Sequence, residues 1–229
     1  MNDMTRPRDV DPPYLYPAYG STRLRAPREP LVALPDGCRD APGPTVPAGF
    51  VRGGEDDLTA GGKSAPVGEK MIVTGRLLDE SGRPIRRSLV EIWQANAAGR
   101  YDHPGDTHDA PLDPNFHGWG RAMTDDEGRY RFITIKPGAY PWKNAAFAWR
   151  PQHIHFSLLG NAPVQRLVTQ MYFPGDPLLA LDPIYQSVPE AGRGRLVARF
   201  DPRLGIEGVA LGFEFDIVLA GAKSTPLGI

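Results

Sequence analysis

Within the run HIHFSLL, His153 and His155 stand two residues apart. In an extended chain successive side chains alternate between faces, so Ile154, Phe156 and Leu158 share one face, and His153, His155 and Ser157 share the other. The apolar face belongs to a core. A rise of about 3.3 Å per residue sets the two imidazoles roughly 6 to 7 Å apart at Cα, close enough for both to turn nitrogens toward one ion. Two solvent-facing histidines on an amphipathic strand are the plain alternative, and His-x-His alone does not decide between them. Upstream, Tyr101 in GRYDHPGD and Tyr140 in KPGAYPWKN each lie in a turn-rich segment between strand-like runs. Loops at the end of a sandwich can reach a strand's polar face. Each tyrosine is equally readable as a packing aromatic whose hydroxyl bonds to backbone.

The elements that must position these side chains are strands. MIVTGRLL (71–78), the turn DESGRP and SLVEIWQA (88–95) read as a hairpin. TDDEGRYRFITI (124–135) again runs from an Asp/Gly turn into a strand, and HIHFSLLG (153–160), RLVTQMYF (166–173) and GFEFDIVLA (212–220) add further strands. Helical periodicity is sustained nowhere, apart from a short helix near Pro183 to Val188. Short strands separated by Pro/Gly loops predict an all-β fold, an antiparallel β-sandwich with long loops over residues 70–229. Residues 1–69 hold eleven of the 25 prolines, which disfavour helix and central strand, and so predict an extended N-terminal arm. Its Tyr14, Leu15, Tyr16, Tyr19, Leu31, Val32 and Leu34 are too apolar for a free tail, so the arm is expected to pack on its own domain or on a partner.

A formal net charge of −1 and 23% charged residues give no field that would gather nucleic acid or anionic lipid. Neither is expected as a partner. The single cysteine, Cys38, excludes an internal disulfide and any multi-cysteine metal site, so a metal here takes N and O ligands. With no run of about 20 apolar residues, the expected location is the cytoplasm.

The order and spacing of Tyr101, Tyr140, His153 and His155, embedded in LVEIWQANAAGRY, PLDPNF, IKPGAYPW, WRPQHIHF and TQMYFPGDP, resemble the intradiol ring-cleavage dioxygenase family over about residues 12–222. The resemblance implies one non-haem Fe(III) per chain, bound by Tyr101, Tyr140, His153 and His155 with a solvent hydroxide. The donor chemistry agrees: phenolate is a hard anionic oxygen donor, and a trivalent ion can displace its proton. Two phenolates and a hydroxide cancel three positive charges and favour ferric iron, unlike the two-His, one-carboxylate set of Fe(II) oxygenases. A diol entering as a dianion can then replace hydroxide and one phenolate without changing the net charge. The resemblance gives that leaving role, and the role of built-in base, to Tyr140. It also makes Arg150 a fixed cation beside the substrate, and places Tyr19, Trp142 and Gln170 in or behind the substrate pocket.

The implied reaction is intradiol cleavage of protocatechuate (3,4-dihydroxybenzoate) by O₂ to 3-carboxy-cis,cis-muconate, within the β-ketoadipate pathway of aromatic catabolism. A proline-rich arm, in place of the helical dimerisation segment of relatives acting on catechol or hydroxyquinol, favours the branch in which an iron-bearing β chain pairs with a homologous α chain. Enzymes for those two substrates are the nearest alternative, and a non-catalytic β-sandwich binding module is the alternative from another class. A hydrolytic zinc site is weaker still, since tyrosine is an unusual zinc ligand and no carboxylate base accompanies the histidines. His103, His108 and His117 read as exposed or backbone-bonded loop residues, Trp93 and Trp149 as packing, and Asp125 to Gly128 as a turn.

Overall fold

A computed structural model describes residues 9–32, 46, 47, 49–143, 146, 149–159 and 166–228. Cys38 and Leu34 lie outside the described residues. The frame is two packed sheets. The first is built on β1 (Lys70–Leu78), which pairs along one edge with antiparallel β4 (Arg129–Ile135). Its other edge is shared by β10 (Leu211–Glu214) and β11 (Ile217–Val218), both parallel to β1, and β9 (Arg199–Phe200) extends the sheet beyond β10. The second sheet is wholly antiparallel, in the order β3 (Trp119–Met123), β2 (Leu89–Trp93), β7 (His153–Leu159), β8 (Arg166–Tyr172). A two-residue ladder, β5 (Tyr140–Pro141) with β6 (Trp149–Arg150), stands apart from both sheets.

The apolar face of β7 meets the first sheet. Phe156 packs against Tyr130 of β4 and against Phe215, with ring centroids 5.7 and 5.3 Å away. Ile154, Leu158, Met71, Val73, Leu77 and Phe132 complete a core from which water is excluded. Burying each such side chain is worth about 1.5–3 kcal/mol, so the alternation along β7 fixes which way its histidines face.

The β-sandwich and the short helix are as expected, the latter being α2 (Pro183–Ser187). The hairpin reading of 71–95 needs correction. Asp79 and Arg83 do close a local turn, with Asp79 N–H donating to Arg83 O at 2.9 Å, but β1 and β2 then part into different sheets. The turn at Asp125 to Gly128 likewise carries the chain from β3 in one sheet to β4 in the other. Alternation shows that a segment is a strand with one buried face; it does not say which of two facing sheets receives the next strand. The run 212–220 is two short strands around Asp216, whose carboxylate accepts from Arg76 N–H at 2.8 Å.

The arm follows the domain closely in places. Leu58 joins the core, and residues 55–58 run beside β4, with Leu58 N–H donating to Ile133 O at 2.8 Å. Tyr19 is buried near a one-turn helix, α1 (Thr22–Arg25), whereas Tyr14, Leu15, Leu31 and Val32 remain exposed on the single chain. Among the described residues, no helix is long and apolar enough to cross a membrane.

Candidate metal centre and substrate pocket

Register places the second sheet's polar row. Trp93, His155 and Gln170 lie side by side across β2, β7 and β8, and His153 lies opposite Tyr172. Directly paired residues share a face, so these five side chains stand together on the face away from the core. The Trp93 ring stacks on His155, 4.7 Å between centroids and 2° from parallel, which fixes the imidazole's plane. His153 has Nδ1 2.7 Å from Pro151 O, a contact that only an Nδ1–H can make, so its Nε2 keeps a lone pair turned toward the Tyr140 hydroxyl at 3.2 Å. Trp93 packs, as expected, and the ring it packs on is that of His155.

The tyrosines arrive on two loops held back to back. Asn96 Oδ1 accepts from the N–H groups of Ala98 and Arg100 at 3.0 Å each, and Asp106 takes the Tyr101 N–H at 2.8 Å. Gly138 N–H donates to Asn96 O at 2.9 Å. A Cβ on Gly138 would lie 2.5 Å from Ala97 O, and one on Gly99 2.2 Å from Ala139 O, so the loops can touch only because both positions lack a side chain. The result brings the Tyr101 and Tyr140 rings to 5.4 Å, edge to face, with Tyr101 6.4 Å from His155 and the two imidazoles 4.8 Å apart.

Burial, with the positive charge of Arg150 second, holds His153 well below the usual imidazole range and His155 down to about 3, so both are neutral at pH 7. Burial pushes both phenols up, Tyr101 well above its ordinary value with Tyr140 adding to the effect. The Tyr101 hydroxyl is buried and has no hydrogen-bond partner, since no bond of acceptable geometry joins it to Tyr140. An orphaned buried hydroxyl costs about 1–3 kcal/mol. Two neutral imidazoles beside two phenols, one of them unpaired, are a donor set that a hard cation would complete. Among the described residues, no three His, Cys, Asp or Glu side chains gather to hold a metal.

Arg150 is not a surface ion pair. It is 2% exposed and held by Asp182, Gln170 and Tyr172. Burial works against its charge, but Tyr172, Asp182 and Tyr140 more than offset this and raise its pKa above the ordinary value. The guanidinium also lies 5.2 Å above the Trp142 ring, which in turn meets Tyr19 of the arm at 4.9 Å. All eight residues singled out in the sequence thus fall in one contiguous region. The remaining histidines do not join it as a metal-binding group: His103 accepts from Gly105 N–H, His108 lies 3.1 Å from Gly99 O, and His117 is 3.6 Å from Asp102. Asp182 and Tyr172 were not anticipated. Asp182-Pro183 is legible as a helix start, but nothing in the spacing pairs that carboxylate with an arginine 32 residues earlier.

A mostly antiparallel sandwich thus carries a Tyr/Tyr/His/His cluster beside a buried arginine. The family described as "Dioxygenase" matches residues 47–221, and "Protocatechuate 3,4-dioxygenase beta subunit N terminal" matches residues 4–36. The chain belongs to the intradiol ring-cleavage dioxygenases. It is 57% identical over 225 residues, 96% of either chain, to the protocatechuate 3,4-dioxygenase beta chain of Burkholderia cepacia. It is 30% identical over 162 residues to the protocatechuate 3,4-dioxygenase alpha chain of Pseudomonas putida, covering 65% of this chain and 77% of that one. The solved structure of catechol 1,2-dioxygenase from an Acinetobacter species superposes with a TM-score of 0.54 at 27% identity, covering 72% of this chain and 56% of that one.

Proposed function

We propose that the chain is the iron-bearing subunit of an enzyme that opens the ring of protocatechuate between its two hydroxylated carbons, with O₂ as co-substrate. The observation that carries the reading is the cluster itself: two neutral imidazoles and two half-buried phenols, one hydroxyl unpaired, packed together in a chain of the intradiol family. Tyr101, Tyr140, His153 and His155 would hold a single ferric ion. Bound there, the ion would chelate the diol and draw electron density from its ring, opening a ring carbon to O₂.

The chain's own groups do the rest. Pro151 O keeps His153 in the tautomer whose Nε2 is free to donate. Stacking on Trp93 holds His155 against rotation. Tyr140 would be the proton acceptor: held as a phenolate by the ion, its oxygen would take a proton from an incoming hydroxyl and become a neutral phenol, the form that burial favours. Arg150 supplies a fixed positive charge next to that exchange and to the electron-rich ring. Trp142, Tyr19 and Gln170 line or back the pocket. Identity to a beta chain along nearly the whole length, with weaker identity to an alpha chain, supports assembly with a homologous α chain.

The test is co-expression with a candidate α chain, followed by oxygen uptake on protocatechuate, catechol and hydroxyquinol. Protocatechuate is expected to be turned over fastest by at least tenfold. A clear preference for catechol would overturn the substrate assignment.

A further inference from the structure

Arg150 is bound by a carboxylate that the reaction has not so far used. Asp182 is 0% exposed, and it grips one edge of the guanidinium, with Oδ1 2.9 Å from Nε and Oδ2 3.2 Å from Nη2. The same carboxylate caps α2, accepting from Ile184 N–H at 3.4 Å and Tyr185 N–H at 3.3 Å, and the Tyr172 hydroxyl lies 3.1 Å from Oδ2. It is therefore rigid on every side. Gln170 Oε1 takes a second bond from Nη2 at 2.5 Å. Among the described residues the Nη1 end takes no part in this grip, and Arg150 stands directly across from Tyr140 in the β5–β6 pair.

A second aspartate repeats the device on the other side of Pro151. Asp176 caps a short 3₁₀ turn by accepting from Leu178 N–H at 2.9 Å, while its other oxygen takes Gln152 N–H at 2.9 Å. The segment 150–152 is thus clamped at both ends by helix-capping carboxylates, and its middle residue supplies the carbonyl that orients His153. Burying an ion pair carries a large desolvation cost and is weak as a source of stability, so its placement points to a positional role.

We propose that Asp182 is a positioning residue for ring opening, fixing the Arg150 guanidinium so that its Nη1 edge is turned toward Tyr140 and the bound diol. This rests on the reading of the site as a ferric catechol centre. Because the arginine's charge matters most as negative charge builds on the substrate, loss of its aim falls on kcat more than on KM.

The experiment uses the iron-loaded αβ enzyme and compares wild type with Asp182→Asn. Expected is a fall in kcat of at least tenfold, with KM within threefold, and with iron content and visible absorption unchanged. Wild-type kcat in an iron-replete Asp182→Asn enzyme would overturn the proposal. If that variant does not fold, because it leaves a buried arginine unpaired, the comparison moves to Arg150→Gln against Arg150→Gln/Asp182→Asn, where both charges are gone. Less than a twofold further loss of kcat supports action through Arg150; a further tenfold loss overturns it. A colourless, inactive wild type loaded with iron would instead sink the ferric reading beneath it.

Discussion

On one face of β7, Ile154, Phe156 and Leu158 sit among the side chains of the opposite sheet; on the other, His153 and Ser157 are almost as deeply buried, and His155 is half-buried. The apolar face is satisfied by contact alone, and any well-packed hydrophobe of similar volume would serve it. The polar face is satisfied group by group: His153 by Pro151 O, His155 by Trp93, Arg150 by Asp182 and Gln170. Among the described residues of this cluster, the Tyr101 hydroxyl is buried without a hydrogen-bond partner. The difference teaches where the energy of each face goes. One face sets stability and leaves chemistry alone; the other gives up packing freedom to hold donors at fixed positions, and its unpartnered Tyr101 hydroxyl is where a ligand is proposed.

Mutations should separate the faces, the largest effect coming from the core. Phe156→Ala removes the ring that joins the two sheets through Tyr130 and Phe215, and is expected to cost about 3–5 kcal/mol in denaturant unfolding. Folded variant should still hold iron with native stoichiometry; loss of iron without loss of stability would break the division. His155→Ala is the converse case. It should weaken iron retention more than about a hundredfold, beyond the range typical of residues that merely support a ligand, while destabilising less than Phe156→Ala. Full iron content with normal turnover would remove His155 from the centre.

Tyr140→Phe should keep part of the iron and slow the substrate-association step by roughly a hundredfold or more, because the group that accepts the substrate's proton is gone. Unchanged association kinetics in stopped flow would end the displacement role. The smallest effect is on pH dependence. In iron-free chain His153 and His155 stay neutral when folded but take protons near pH 6.5 when unfolded, so the unfolded state binds more protons as pH falls. Stability is therefore retained above about pH 6.5 and lost below it, for His155 down to about pH 3, by roughly 0.7 kcal/mol per imidazole between pH 7 and pH 6. His153→Gln should flatten that slope. Stability that rises on acidification would contradict the buried, neutral state.

Much of the polar face was legible in the sequence. Alternation in HIHFSLL assigns both histidines to one side, and the Gly and Pro residues around Tyr101 and Tyr140 mark loops that can reach it. What stayed hidden depends on contacts between distant segments. The parallel pairing of β1 with β10 joins residues about 140 positions apart, and the β1–β2 turn looks the same whether its strands pair or separate. Asp182 declares itself as a helix cap, but its grip on Arg150 exists only because α2 folds back over β8. Trp93 offered no signal beyond its bulk; its role follows from register, which sets it opposite His155.

The central claim is that two phenols and two imidazoles of this chain bind one ferric ion. Metal analysis and visible absorption on a single iron-loaded sample test it most directly. One iron per chain, with a red to burgundy colour that weakens or shifts in Tyr101→Phe, is the predicted result. One iron per chain in a sample with no visible band would show that the tyrosines do not bind the metal, and would contradict the account.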